Sequence, residues 1–433
     1  LEETGWTSVG FNDNEWDYAY IADKPSGKLV VDNLSRLFIN NDLSQTGTFK
    51  CSDSLLNKIW ETTNQSYLNS LYGTTTDCHQ SGNNGHTSDA HIAIDLALMN
   101  FDGITLYEKW MVDFIDNQRE DGAISGIIPS SSWGYGSWPG PAWDAALFII
   151  PNALYNYYGD TRAIEKLFPV MQKYLDYLLP QEDNGMLNFG LGDWVFCKAK
   201  SPNDYTSTVY YHLDYKLMAR FATILGKDAS AYSKKADEIK ALINLKFFNP
   251  EIGSYANRSQ TALALALYMG IVPETHEQRV AKNLHKKVVE NDYFLDFGLI
   301  GSKTVPAMLA KYGYVEDVYK MAVKTDAPSW GYWNETPDNA TRTESWTLSP
   351  QFRDASLNHV FMGDISAWMY NALAGINYDE KQPGFQHIII QPRFVNDLNW
   401  VEGEYNSIRG LIKSSWKRKA NEITMQVTIP PGA

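Results

Sequence analysis

Cysteine is scarce in this chain of 433 residues: Cys51, Cys78 and Cys197 are an odd, widely spaced set. Such a set supplies no disulfide framework and leaves the redox compartment open. Cations are also in deficit, with 37 Lys and Arg against 51 Asp and Glu, a formal charge of −14, and no dense basic run. Nucleic-acid binding needs clustered cations to neutralise phosphates, so DNA and RNA are excluded as partners. Apolar runs are short, the longest resembling ALFII at 146–150, well under the roughly 18 residues that span a bilayer. No membrane partner is expected. With 44% apolar and 20% charged residues the chain is too hydrophobic for disorder. By the prior of roughly 150 residues per domain, two or three domains are expected. What the chain has in plenty is aromatic rings: 14 Trp, 26 Tyr and 18 Phe.

Three segments follow from the periodicity. Residues 1–49 mix turn chemistry (GFNDNEW, DKPSGK) with short apolar runs and end in the strand-like GTFK, reading as the end of an N-terminal β-domain and a linker. From Ser52, an expected helix N-cap, the pattern turns helical, with Leu55, Leu56, Ile59 and Trp60 at helical spacing. Helical stretches recur at 88–100, 104–118, 143–158, 161–179, 205–226, 228–247, 258–270, 275–290, 302–313, 315–325 and 361–374. About a dozen helices with β-segments on both sides and no fixed-period repeat favour a mainly α fold, an (α/α)6 barrel over residues 50–376, rather than a solenoid. Residues 377–433 alternate as strands and read as a C-terminal β-sandwich segment, expected to continue beyond Ala433.

The long loops hold the unusual residues. Asp77 and Asp89 bracket a Gly/Asn/His loop, Trp133, Trp138 and Trp143 lead into Asp144, Asp193 and Trp194 stand in GLGDW, and Glu344 lies between Trp330 and Trp346. Any one of these acids alone reads equally well as a solvated or helix-capping group. Loops that pair acids with aromatics fit a carbohydrate site better, where rings stack on sugar faces and two carboxyl groups do acid and base work. A cluster of Cys78, His79, His86, Asp89 and His91 matches no standard zinc spacing. Neither a metal nor a cofactor is expected, and the oligomeric state is left open.

Seven ordered motifs then carry a resemblance. GTFKCSDSLLNKIW, PAWDAALFIIPNALYNYYGD, GDW at 192–194, FGLIGSKTVPAMLAKYGYVEDVYKMAVKTDAPSWGYW, TRTESW, SLNHVFMGDISAWMYNALAGI and GFQHIIIQPRF are similar to bacterial α-L-rhamnosidases of glycoside hydrolase family 78. The resemblance implies a catalytic (α/α)6 barrel followed by a β-sandwich, and inverting release of terminal α-L-rhamnose. It implies Glu344 as general base, and Asp77, Asp89 and His359 as contacts to the sugar. Trp138 or Trp143, with Trp194, would be stacking walls. His79, Asp144, Asp193, Trp330 and Trp346 join the expected substrate-binding set.

One departure stands out. The family's D-C-P-x-R-x-E-x-x-G-W-x-G-D places the general acid on its Glu, whereas this chain reads DCHQSGNNGHTSD, with Ser81 for Arg, Gly82 or Asn83 for Glu, and His86 for Trp. Losing a general acid typically costs 10²–10⁴-fold unless another group replaces it. Asp89 and His86 are the candidate acids, with His79 on the same loop and Asp144 across the cleft as further donors. The rivals are a leaving group that departs unaided, a catalytically silent sugar-binding homologue, and a polysaccharide lyase on the same barrel.

Overall fold

Helices alternate along the chain between half-exposed and almost wholly buried. A computed structural model describes residues 40–432 apart from 79–81, 131–132, 137, 336–340, 342 and 347–355. The expected β-segment before residue 40, and His79, lie outside the described residues. The first helices are α1 (Ser54–Asn69), α2 (Thr87–Ile92) continued by α3 (Ile94–Asn100), and α4 (Ile104–Asn117). Next come α5 (Pro141–Asp144) running into α6 (Ala146–Tyr158), then α7 (Arg162–Leu178), α8 (Asn203–Ile224) and α9 (Ser230–Phe247). The last are α10 (Gln260–Tyr268), α11 (Glu277–Glu290), α12 (Leu299–Lys311), α13 (Val315–Val323), the short α14 (Tyr332–Glu335), and α15 (Ile365–Trp368), which a π-turn extends over Met369–Ala374.

Burial sorts these into two rings. Every residue from Gln260 to Leu267 of α10 and from Leu299 to Pro306 of α12 is buried. In contrast α11 buries only Val280, Ala281, Leu284 and Val288, a single stripe at helical spacing. Contacts close the inner ring through α3, α6, α8, α10, α12, α15 and back to α3. The outer helices α1, α4, α7, α9, α11 and α13 alternate with them in sequence. This is the expected (α/α)6 barrel. Its first cap is Asp53 rather than Ser52: the aspartate carboxylate accepts the N–H groups of Leu55 at 2.8 Å and Leu56 at 3.1 Å.

Strands frame the helices. These are β1 (Gly47–Cys51), a short β2 (Phe248–Asn249) and β3 (Ser254–Tyr255) hairpin, β4 (Ile376–Tyr378), β5 (Ile388–Ile390), β6 (Trp400–Ser407), β7 (Gly410–Lys419) and β8 (Glu422–Thr428). One antiparallel sheet runs β1-β6-β7-β8, with Phe49 opposite Gly403. The GTFK strand therefore forms an edge of the C-terminal sheet. That sheet docks on the last inner helix, where Ser414 Oγ donates to Ala374 O at 2.6 Å and Trp416 Nε1 to Leu373 O at 2.9 Å.

One polar tie crosses the inner ring. Lys303 Nζ of α12 donates to Asp95 Oδ2 at 2.5 Å, Asp364 Oδ2 at 3.2 Å and Ile92 O at 3.1 Å. Three acceptors match three N–H groups, so this buried ammonium is fully satisfied. It links α3, α12 and the entry to α15.

Candidate functional site

The loops that lead into α2 and α15 meet at one mouth of the barrel. On the first loop Asp77 organises its own surroundings: its N–H donates to Asn84 O, and its Oδ1 accepts the Asn84 N–H, both at 2.9 Å. Gly85 lets this loop lie against the next strand-like segment, since a Cβ there would meet Ile128 O at 2.0 Å. The result aims His86 back at Asp77, Nε2 to Oδ2 at 3.5 Å. Trp133 and Trp138 stack on each other at 5.8 Å, and both meet the His86 ring edge-on.

Glu344 and His359 come from the second region. The Glu344 N–H donates to Ser356 O at 2.9 Å, and Glu344 Oε2 accepts the Ser356 N–H at 3.0 Å. Asn358 anchors this segment to the end of α1 by donating to Ser66 O at 3.2 Å and Ser70 Oγ at 3.1 Å. His359 then sits with Nδ1 3.3 Å from Asp89 Oδ1, and neither atom has a hydrogen-bond partner among the described residues. Ser88 Oγ donates to the second Asp89 oxygen at 2.8 Å.

Electrostatics make this pair neutral. Burial pushes the Asp89 carboxyl well above the usual carboxylate range, and the charges of Asp77 and Glu344 push the same way against the Ser88 hydrogen bond. Burial also drives the His359 imidazole well below its ordinary value, with His86 adding to the effect. The His86 imidazole is lowered too, because burial outweighs the attraction of Asp77. Three carboxyl groups thus share one site, and the most enclosed of them keeps its proton.

Several expected site residues sit elsewhere. Asp193 is fully buried and caps α12, accepting the N–H groups of Gly298 at 3.0 Å, Ile300 at 2.8 Å and Gly301 at 3.2 Å, with the Thr261 hydroxyl as a fourth donor. Gly298 permits the close approach, since a Cβ there would strike Trp194 O at 2.0 Å. Asp144 is interior as well: Oδ2 accepts the Tyr174 hydroxyl at 2.9 Å, and burial raises its carboxyl to about 8. Its neighbour Asp214, on α8, is also raised by burial and by Asp144, and neither of its oxygens has a partner among the described residues. An acid set among the apolar faces of YYHLDYK was the available signal for it.

The tryptophans divide in the same way. Trp143, Trp330 and Trp346 are core residues, 2%, 0% and 2% exposed. Trp330 and Trp346 spend their indole N–H groups on Met362 O at 2.8 Å and Phe297 O at 2.7 Å, and Trp346 stacks on Trp333 at 4.7 Å. They support the Glu344 segment from below instead of presenting a face. Trp194 and Trp133 are 43% and 48% exposed, and Trp138 is half-buried. Trp133, which the sequence reading left out of the substrate set, offers more free surface than any of the three buried tryptophans.

A closed double ring of helices with carboxyl groups gathered at one mouth is the architecture of six-hairpin glycosidases. Residues 44–373 match the family described as bacterial alpha-L-rhamnosidase 6 hairpin glycosidase domain, and residues 375–433 match the bacterial alpha-L-rhamnosidase C-terminal domain. The chain belongs to this bacterial alpha-L-rhamnosidase family. An alpha-L-rhamnosidase of Streptomyces avermitilis is 28% identical over 344 residues, 77% of this chain and 33% of that protein. The crystal structure of a Streptomyces avermitilis alpha-L-rhamnosidase complexed with L-rhamnose matches with a TM-score of 0.85 at 25% identity, over 91% of this chain and 38% of that one. The alpha-L-rhamnosidase structure from Dictyoglumus thermophilum gives a TM-score of 0.85 at 32% identity, over 91% and 45%. The chain spans about a third of the length of the Streptomyces relative.

Proposed function

We propose that this chain carries the catalytic part of an inverting glycoside hydrolase that releases terminal α-L-rhamnose, or a closely related sugar, from a glycan or glycoside. The observation that carries the reading is the gathering of Asp77, Asp89 and Glu344 with His86 and His359 at one mouth. Glu344 is the general base: it takes a proton from water as the water oxygen attacks the anomeric carbon. The glycosidic C–O bond breaks on the opposite face, and the leaving oxygen takes the proton of Asp89. Asp89 is favoured over His86 as acid because its carboxyl is raised and keeps a proton, whereas the lowered imidazole is neutral and has none to spare. Asp77 and His359 bind sugar hydroxyls, and Trp138 and Trp194 supply ring-stacking walls. Residues 50–376 are read as the catalytic barrel, 377–433 as the C-terminal β-sandwich segment and 1–49 as the end of a preceding β-domain and linker.

The test uses an aryl α-L-rhamnoside and a natural rhamnosyl glycan, with proton NMR recording which anomer of rhamnose forms first. Cleavage of both with β-L-rhamnose appearing first is the expected result. Cleavage of the activated aryl substrate alone would mean that no general acid operates. Binding without cleavage of either would favour the silent homologue, and absorbance near 235 nm on uronate glycans would favour the lyase.

A further inference from the structure

Exposure rises in steps from the floor of the candidate mouth to its rim. Asp89 and His359 are buried, the His86 side chain is 20% exposed, Trp138 is half-buried, and Trp133 is 48% exposed. These groups are also linked. His86 is the N-cap of α2 and Asp89 lies in its first turn, where the Ala90 N–H donates to His86 O at 3.4 Å. The His86 ring meets Trp138 at 6.0 Å and Trp133 at 6.4 Å, and the two indoles stack at 5.8 Å with their planes 25° apart. The backbone holds Trp133 as well: its carbonyl accepts the Ser130 hydroxyl at 2.6 Å, and the Gly134 carbonyl accepts the Gly126 N–H at 2.8 Å. A ring braced by another ring and still half open to water loses little freedom when a ligand covers it.

Stereochemistry decides what would cover it. Under the hydrolytic reading, on which this inference rests, water and its base stand on one face of the anomeric carbon, and the leaving oxygen departs from the other towards the acid. Trp133 is tied through His86 to the turn that carries Asp89, so it stands on the leaving-group side. A terminal sugar held among buried groups also leaves only the rest of the glycoside to reach an exposed rim. We propose that Trp133, braced by Trp138, is the platform for the leaving group, taking a flat ring with an apolar face just beyond the scissile bond. The pyranose next to rhamnose in a glycan and the aromatic ring of a phenolic glycoside both have such a face, and an indole stacks on either.

Titration calorimetry of Glu344→Gln compares methyl α-L-rhamnoside, whose leaving group has no ring, with phenyl α-L-rhamnoside and a rhamnosyl-glucose disaccharide. At least one ring-bearing ligand should bind about tenfold more tightly than the methyl compound. Adding Trp133→Ala should remove that gain, and adding Trp133→Phe, which keeps a ring, should retain most of it. A gain for the phenyl compound alone assigns the platform to phenolic glycosides, and a gain for the disaccharide alone assigns it to glycans. Three results would overturn the proposal: no gain or no binding at all, a gain that survives Trp133→Ala, or an equal loss on all three ligands, which would mean that Trp133 only props His86. A failure of the hydrolytic reading shows differently, as absent turnover of all three compounds by the unsubstituted protein while the gain and its loss in Trp133→Ala persist.

Discussion

His359 Nδ1 and Asp89 Oδ1 face each other at 3.3 Å, two buried groups each pushed toward its neutral form. A charged pair here would need two ions desolvated beside Asp77 and Glu344, so two neutral groups are the cheaper state. Under the proposed mechanism the Asp89 proton takes the part of the glutamate that this chain lacks at Gly82 or Asn83.

Replacement of Asp89 by Asn should therefore act according to the leaving group. Hydrolysis of a natural rhamnosyl glycan should fall about 10²–10⁴-fold, while an aryl rhamnoside with an acidic phenol should lose far less. Because the Asp89 carboxyl is raised, the working acid is present at low pH and is lost as pH rises through its value in the folded protein. The alkaline limb of kcat/KM should accordingly vanish in the variant on the aryl substrate. Equal losses on both substrates would assign Asp89 to binding.

Asp144 makes a stability prediction. Its carboxyl stands at about 8 in the folded protein, against an ordinary 3.8, chiefly through burial. The folded state holds a proton that the unfolded chain releases, so the stabilisation is complete below about pH 4 and lost as pH rises to about 8. Asp144→Asn should flatten the fall of Tm across that window and stabilise the protein at pH 8 by about a few kcal/mol. Thermal melts from pH 4 to 8 check this, and parallel curves for both proteins would contradict it.

Asp193→Ala should damage the fold and not a sugar contact. It strands three buried backbone N–H groups and a hydroxyl at the start of α12, and the loss should be about 3 kcal/mol in urea unfolding. Unchanged stability with a raised KM would return Asp193 to the binding set.

Lys303→Met should cost about 3–5 kcal/mol, because Asp95 and Asp364 lose the buried cation that both face. The double variant with Asp364→Asn should recover part of the loss. Urea midpoints for the two variants decide the point.

Much of the scaffold was legible because outer helices such as α11 repeat Val280, Leu284 and Val288 at the spacing that buries one face. Inner helices such as QTALALALY show almost no amphipathic pattern, and length with flanking turn residues identified them instead. The site was legible in part for a related reason. Asp77, Asp89, Glu344 and His359 stand in motifs, and so do Asp193 and Trp346, but a motif does not say where a side chain turns. Asp193 finds its backbone partners 105 or more residues away, at Gly298, Ile300 and Gly301. The neutral Asp89–His359 pair depends on burial by loops far apart in sequence, which no spacing rule encodes.

The most direct test of a hydrolytic mouth with Glu344 as its base is turnover of an aryl α-L-rhamnoside by Glu344→Gln, measured beside its affinity for rhamnose. Removing a positioned general base predicts a fall in kcat of about 10²–10⁴-fold with binding nearly unchanged. Turnover near that of the unsubstituted protein would contradict the account.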